Sequence, residues 1–208
     1  MSISTYAELK SAVADFLNRE DLTAAIPTFV RLTEARMDRE LRHWRMEKRS
    51  VAQLDTQYSA IPADFLQPIR LQITDAPTGE VAPISTAQML QVRGDRNDRV
   101  GRPTHYALTA GGIELYPTPD LTYNASLVYY ARIPALSDSN TTNWLLTEAP
   151  DAYLYGALMQ SAPYLKDDAR IAVWQSLYAA AVGNLNASST EAKYGGTGLV
   201  MKTRRGAP

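Results

Sequence analysis

The chain contains no cysteine. Disulfides, thiolate metal sites and cysteine nucleophiles are therefore excluded together, which fits assembly in a reducing compartment. Histidine is nearly absent too, with only His43 and His105. Neither sign of charge dominates: 21 Lys and Arg stand against 22 Asp and Glu, for a net charge of −1. That balance gives no global pull toward nucleic acid or an acidic membrane. No apolar run approaches the roughly 20 residues a bilayer span requires. The start, MSISTYAELK, lacks a basic segment followed by an apolar core, so no signal peptide is expected. A soluble, unprocessed protein made in the cytoplasm is the expectation. With 208 residues, 45% of them apolar, the chain can bury a full core.

The clearest patterns present are helical. Thr5 and Glu8 stand at capping-box spacing ahead of a helix over 6–18, with Leu9, Val13, Phe16 and Leu17 on its apolar face. A longer helix is expected over 23–44, where Ile26, Val30, Thr33, Met37, Leu41 and Trp44 fall in one narrow wedge. Near the other end, the spacing predicts helices over 151–164 and 167–187. Leu154, Leu158, Ser161 and Leu165 mark one face of the former; Trp174, Tyr178, Ala181 and Leu185 mark the latter. Pro163 should end or bend the first of this pair.

Between the helical ends the period changes. Ile69, Leu71 and Ile73 alternate, as do Ile113 with Leu115 and Leu127 with Tyr129. Gly111-Gly112 is expected as a hairpin turn between 105–108 and 113–116. Ser85 should cap a short helix to Val92. After Tyr129-Tyr130, Pro134 stops the strand, a polar loop covers 137–143, and Thr147 is expected to cap the next helix with Pro150 in its first turn. From Ser188 onward glycine replaces periodicity. The expected fold class is thus α+β, mainly α. N- and C-terminal helix pairs form a bundle carrying a β-rich insertion over 46–135. Residues 1–187 form a single domain, followed by a flexible docking tail over 188–208.

Chemistry is sparse. No H-E-x-x-H, P-loop, G-x-S-x-G or Gly-rich nucleotide fingerprint occurs, so no catalytic, cofactor or metal residue is assigned and an enzyme is not expected. His43 and His105 read as structural, and Asp167-Asp168 as first-turn charge at a helix start. Arg93–Arg102, RGDRNDRVGR, reads as an exposed loop. Between Arg31 and Arg49, basic Arg31, Arg36, Arg39, Arg42, Arg45, Lys48 and Arg49 face acidic Glu34, Asp38, Glu40 and Glu47. On a continuous helix Arg31, Arg42 and Arg45 would gather away from the apolar wedge. This face admits two readings: a solvated surface partly neutralised through spacings such as Asp38–Arg42, or a subunit or partner contact. The tail places Lys202, Arg204 and Arg205 beside Leu199-Val200-Met201, with Tyr194 upstream, a pattern suited to a docking peptide.

Several segments in order carry a resemblance: YAELKSAVADFLNRED, IPTFVRLTEARMDRELR, IPADFLQPIRL, GRPTHYAL, GGIELYPTPD, YYARIPALSDSNTTNWLLTEAPDAYLYGALM and DDARIAVWQSLYAAAVGNL. The sequence resembles the head-to-tail adaptors, or connectors, of tailed bacteriophages, which sit below the portal. The chain departs from that family at Pro163, where relatives continue a helix. The resemblance implies a virion structural protein in the neck between capsid and tail. It also implies a homo-oligomeric ring, usually of twelve copies, joining the portal to the tail or the next connector protein. DNA would pass through its centre without sequence-specific binding, and no membrane is involved. The C-terminal segment would reach the portal, so Tyr194, Leu199, Val200, Met201, Lys202, Arg204 and Arg205, with Arg31, Arg42 and Arg45, are the expected partner-binding residues. The alternative is a small nucleic-acid-binding protein that lays the Arg31–Arg49 helix on phosphates, with affinity falling steeply as salt rises.

Overall fold

The computed structural model describes residues 3–96, 99–165 and 169–195. These form two compact units, one from the described residues up to 44 and from 133 onward, the other from those between 45 and 132.

In the first unit, α1 (Tyr6–Leu17) starts at the expected capping box. The Glu8 N–H donates to Thr5 Oγ1 at 3.3 Å, and the Thr5 N–H donates to Glu8 Oε2 at 3.1 Å. Asn18 ends the helix in the left-handed region at φ 52°, a conformation asparagine tolerates better than most residues. Leu9, Val13 and Leu17 are buried, whereas Phe16 is exposed.

A 3-10 segment, Glu20–Ala25, leads into α2 (Ile26–Glu40), so the second helix is shorter than its apolar wedge suggested. Ile26, Val30, Thr33, Met37 and Leu41 are buried, but the chain turns extended at Leu41. Trp44 consequently leaves the wedge, begins a 3-10 turn and is 43% exposed. A short α4 (Trp144–Glu148) follows the junction loop, capped by Asn143, whose Oδ1 accepts the Leu146 N–H at 2.8 Å. The expected cap, Thr147, lies inside that helix.

The next helix, α5 (Pro150–Gln160), is buried on nearly all sides and stops before Pro163 as expected. Last comes α6 (Arg170–Tyr194), which buries Trp174, Tyr178, Ala181 and Leu185. It runs through 188–194, past the expected boundary at 187.

Close packing explains the centre of this unit. A Cβ on Gly156 of α5 would lie 2.3 Å from Thr33 Cγ2 of α2 and 3.2 Å from the Tyr178 ring of α6. Thr33 turns its hydroxyl to the Phe29 carbonyl of its own helix at 2.8 Å, which satisfies the polar atom in this buried contact.

The second unit corrects the expected fold class. A mainly α bundle carrying a β-rich insertion does not describe the molecule. This part is one seven-stranded sheet, nearly closed and barrel-like, in the order β1-β7-β3-β4-β5-β6-β2. The strands are β1 (Glu47–Leu54), β2 (Tyr58–Ala60), β3 (Phe65–Ile73), β4 (Gly79–Pro83), β5 (His105–Thr109), β6 (Gly112–Tyr116) and β7 (Tyr123–Ala131). Neighbours pair antiparallel except β4 with β5. Leu54, Leu71, Ile73, Val81, Tyr106, Ile113, Leu115, Leu127 and Tyr129 form its own hydrophobic core.

The sheet's extent was hidden because β1 reads EKRSVAQL and buries only its last residue, Leu54. A strand without an inward apolar row gives no period to detect. Ile69 breaks its apparent alternation because the register shifts between Pro68, opposite Tyr129, and Arg70, opposite Val128. The extra residue of that irregularity is exposed at 42%. The β5–β6 hairpin forms, but its turn residues are Ala110 and Gly111; Gly112 already belongs to β6, opposite Thr109. The short helix also forms, as α3 (Thr86–Arg96), with Ser85 Oγ accepting the Gln88 N–H at 3.2 Å.

Two substitutions should separate buried from exposed sites in the helical unit. Gly156→Ala should destabilise by about 1–3 kcal/mol, since the added methyl overpacks the contact. Trp174→Ala should cost about 3–5 kcal/mol and Trp44→Ala far less, read as shifts in urea denaturation midpoint. Equal losses at both tryptophans would contradict the packing described.

Candidate functional site

The expected partner-binding residues do not share one helical face. Arg31 is on the exposed side of α2. Arg42 lies beyond the end of that helix, where its Nη1 donates to the Asp38 carbonyl at 2.9 Å and to the Leu41 carbonyl at 2.5 Å. The anticipated Asp38–Arg42 charge pair is thus replaced by a bond to the backbone. The Asp38 carboxylate instead accepts the Ile133 N–H at 3.0 Å. Arg45 is in a 3-10 turn of the sheet unit and is exposed. The basic stretch to Arg49 therefore changes from helix to turn to strand. Tyr194 is the last residue of α6 and is 67% exposed. Leu199, Val200, Met201, Lys202, Arg204 and Arg205 lie outside the described residues, as does Asp167-Asp168.

Pattern reading passed over the polar side chains that hold the helical unit's loops. Glu34, buried on α2, accepts the Leu136 N–H at 2.7 Å and the Tyr153 hydroxyl at 3.2 Å. Asn143 donates to the Pro134 carbonyl and to the Tyr153 oxygen, each at 2.7 Å. These bonds attach the junction loop to α2 and α5. Burial raises the Glu34 carboxyl above its ordinary value, while the Leu136 N–H and the Tyr153 hydroxyl act against that shift. Tyr153 is itself pushed up by burial and by the charge of Glu34.

On the other side of α2, Arg36 pairs with Glu40 at 2.7 Å and lies over the Tyr178 ring. The Tyr178 hydroxyl donates to Glu40 Oε2 at 3.0 Å. Side chains of α6 also receive the chain as it leaves α2. Asn186 Oδ1 accepts the Arg42 N–H at 3.1 Å, and Ser189 Oγ accepts the Trp44 N–H at 2.8 Å. Ser189 is buried, which explains why α6 continues past 187. His43 is buried and stacks on Trp144 with ring centres 5.1 Å apart.

The outer side of α6 is a surface of another kind. From Ile171 to Thr190 the sequence carries no charge, and Ala172, Val173, Leu177, Ala180, Gly183 and Ala187 are exposed. Exposed positions on α1 and α2 carry Glu8, Arg31 and Arg39 instead. The absence of charge over that run was the available sequence signal for this face.

In the sheet unit, Arg93 does not belong to an exposed loop. It is on α3, pairs with Glu114 at 2.8 Å, and donates to the Leu115 carbonyl at 2.7 Å. Arg102 donates to the Asp75 carbonyl at 3.1 Å and to that of Pro77. Among the described residues no group of His, Asp and Glu is arranged to hold a metal ion. Nor is any described helix long and apolar enough to cross a membrane.

Comparison with known proteins gives these surfaces a context. A family model described as SU10 adaptor protein matches residues 4–201, and the chain belongs to that family. No curated protein matches it. Membership makes the chain a bacteriophage adaptor, a structural component of the virion.

The buried carboxyl supplies a test of the loop attachment. Glu34 titrates near 4.5 when unfolded and higher when folded, so the folded state binds its proton more tightly. Its contribution to stability is full below the unfolded value and is lost as pH rises through the folded one. The stability of the wild type against denaturant should therefore fall with rising pH, across the window above 4.5, relative to Glu34→Gln. Parallel pH profiles for the two proteins would show that Glu34 is not buried as described.

Proposed function

We propose that this phage adaptor assembles into a homo-oligomeric ring, of twelve copies, in the neck of the virion. The ring joins the portal to the tail or the next connector protein, and DNA passes through its centre without sequence-specific contacts. The single observation that carries this reading is the family match over residues 4–201, which spans both compact units. The uncharged outer face of α6 supports it, since an exposed apolar stripe on a helix suits contact with another protein surface.

In this reading Arg31, Arg42 and Arg45 contribute to subunit or portal contacts. The segment carrying Tyr194, Leu199, Val200, Met201, Lys202, Arg204 and Arg205 is the portal-docking peptide. Its apolar trio contributes roughly 25 cal/mol per Å² buried, and its cations pair with carboxylates on the partner. A contact that is weak in one subunit becomes strong when repeated around a ring, through effective concentration. The nucleic-acid alternative required a continuous basic helix over Arg31–Arg49, whereas α2 ends at Glu40.

Truncation after Gly195 tests the docking assignment while preserving Ser189 and its bond to the Trp44 N–H. The shortened chain should keep its melting temperature but fail to form stable caps on portal rings in negative-stain images. Normal capping by the truncated chain would move docking to the helical unit. Retardation of duplex DNA by the free protein at physiological salt would favour nucleic-acid binding instead.

A further inference from the structure

The sheet unit contains a pocket, more apolar than polar in its lining, that the adaptor reading does not use. α3 covers the outer face of the β5–β6 hairpin, where Met89, Ala107 and Tyr116 form a small buried cluster with Ile84 and Val92 against it. Beside that cluster is a pocket of about 350 Å³ lined by Val92, Arg99, Thr104, His105, Tyr116 and Pro117. This is the small end of the range for ligand sites.

Its walls are fixed by the fold. His105 and Tyr116 are directly opposed across the two strands, which puts both side chains on one face of the sheet. The Thr104 N–H donates to the Tyr116 carbonyl at 2.8 Å, and Thr104 Oγ1 lies 2.9 Å from His105 Nδ1. The backbone of Arg99 is tied in as well, its carbonyl accepting the Thr118 N–H at 3.0 Å. Arg93 lies over the Tyr116 ring with its guanidinium carbon 5.5 Å from the ring centre.

Among the described residues, two donors that line this pocket lack an acceptor. The Tyr116 hydroxyl is buried and has no hydrogen-bond partner, an arrangement that carries a desolvation penalty. Arg99 is exposed, and no carboxylate among the described residues pairs with it. We propose that this pocket binds a carboxylate, which accepts from the Arg99 guanidinium and the Tyr116 hydroxyl together. A carboxylate is acceptor-only and carries one charge, matching a site with one unpaired guanidinium. A phosphate near its doubly charged form would call for more cationic partners. Val92 and Pro117 leave room for the short apolar stem of an acidic side chain or an acetyl group. The inference concerns the sheet unit alone and does not depend on ring formation.

The test uses the full chain with isotope-labelled histidine and tyrosine rings. Sodium acetate is titrated at constant ionic strength, with chloride as the balancing anion. The His105 and Tyr116 signals should shift saturably while those of His43, in the other unit, stay fixed. Arg99→Ala should abolish saturation. Tyr116→Phe, which keeps the buried ring, should weaken binding roughly threefold to tenfold. A second titration with a blocked peptide ending in glutamate identifies the source. Tighter binding than acetate supports a peptide-borne carboxylate from a protein partner, and equal binding supports a free small carboxylate. A linear response to acetate would overturn the proposal, as would a response unchanged by Arg99→Ala. Wild-type affinity in a Tyr116→Phe chain would also overturn it, leaving water as the occupant beside the hydroxyl.

Discussion

Where α5 meets α2 and α6, the backbone at Gly156 approaches Thr33 and Tyr178 so closely that no side chain fits between them. The helical unit depends on this approach. α5 is buried on nearly every side, so it has to be wrapped by elements from both ends of the sequence. Interiors pack at crystal-like density, and a helix can come this near another only where the intervening residue is small. The methyl of Thr33 and the ring of Tyr178 occupy the space a longer side chain at 156 would take. Their polar atoms are satisfied elsewhere, by the Phe29 carbonyl and the Glu40 carboxylate.

Around this closely packed centre the chain repeatedly uses side chains to satisfy backbone groups that leave regular structure. Glu34 and Asp38 accept the N–H groups of Leu136 and Ile133, while Asn186 and Ser189 accept those of Arg42 and Trp44. Buried backbone donors without partners are costly, so each sharp exit from a helix needs such a receiver. The receivers face inward and leave outer surfaces free to differ. Those of α1 and α2 carry charge, whereas that of α6 from Ile171 to Thr190 carries none. An adaptor has to present surfaces to other proteins, and this contrast is the clearest asymmetry among the exposed helices.

The sheet unit solves its packing separately. It closes a core of aliphatic and tyrosine side chains between curled strands, with α3 covering part of the outer face. Asp64 illustrates its rim: it accepts from Lys48 at 2.6 Å and from the Tyr129 hydroxyl at 2.8 Å, and these bonds hold its carboxyl below the usual range. Tyr129 is pushed up to about 12 by burial and by that carboxylate. Such bonds help secure β1, whose sequence offers little apolar area of its own.

Local chemistry was legible in the sequence alone. The Thr5–Glu8 capping box, the stop ahead of Pro163, the existence of the β5–β6 hairpin, the cap at Ser85 and the apolar face of α6 all depend on residues a few positions apart. The family resemblance was legible for a related reason, since it rests on the order of such local patterns. Tertiary structure decided what depends on distant partners. It ended α2 at Glu40, where Asn186 and Ser189 receive the departing chain, and so left Arg42 and Arg45 beyond the helix that carries Arg31. It recruited β1, a strand with no apolar period, through pairing with β7. It moved Ile69 out of its row through a register irregularity against the same strand. It also gave Gly156, Glu34 and Tyr116 their meaning, because a close approach, a buried carboxyl and an unpartnered hydroxyl exist only once sequence-distant groups meet.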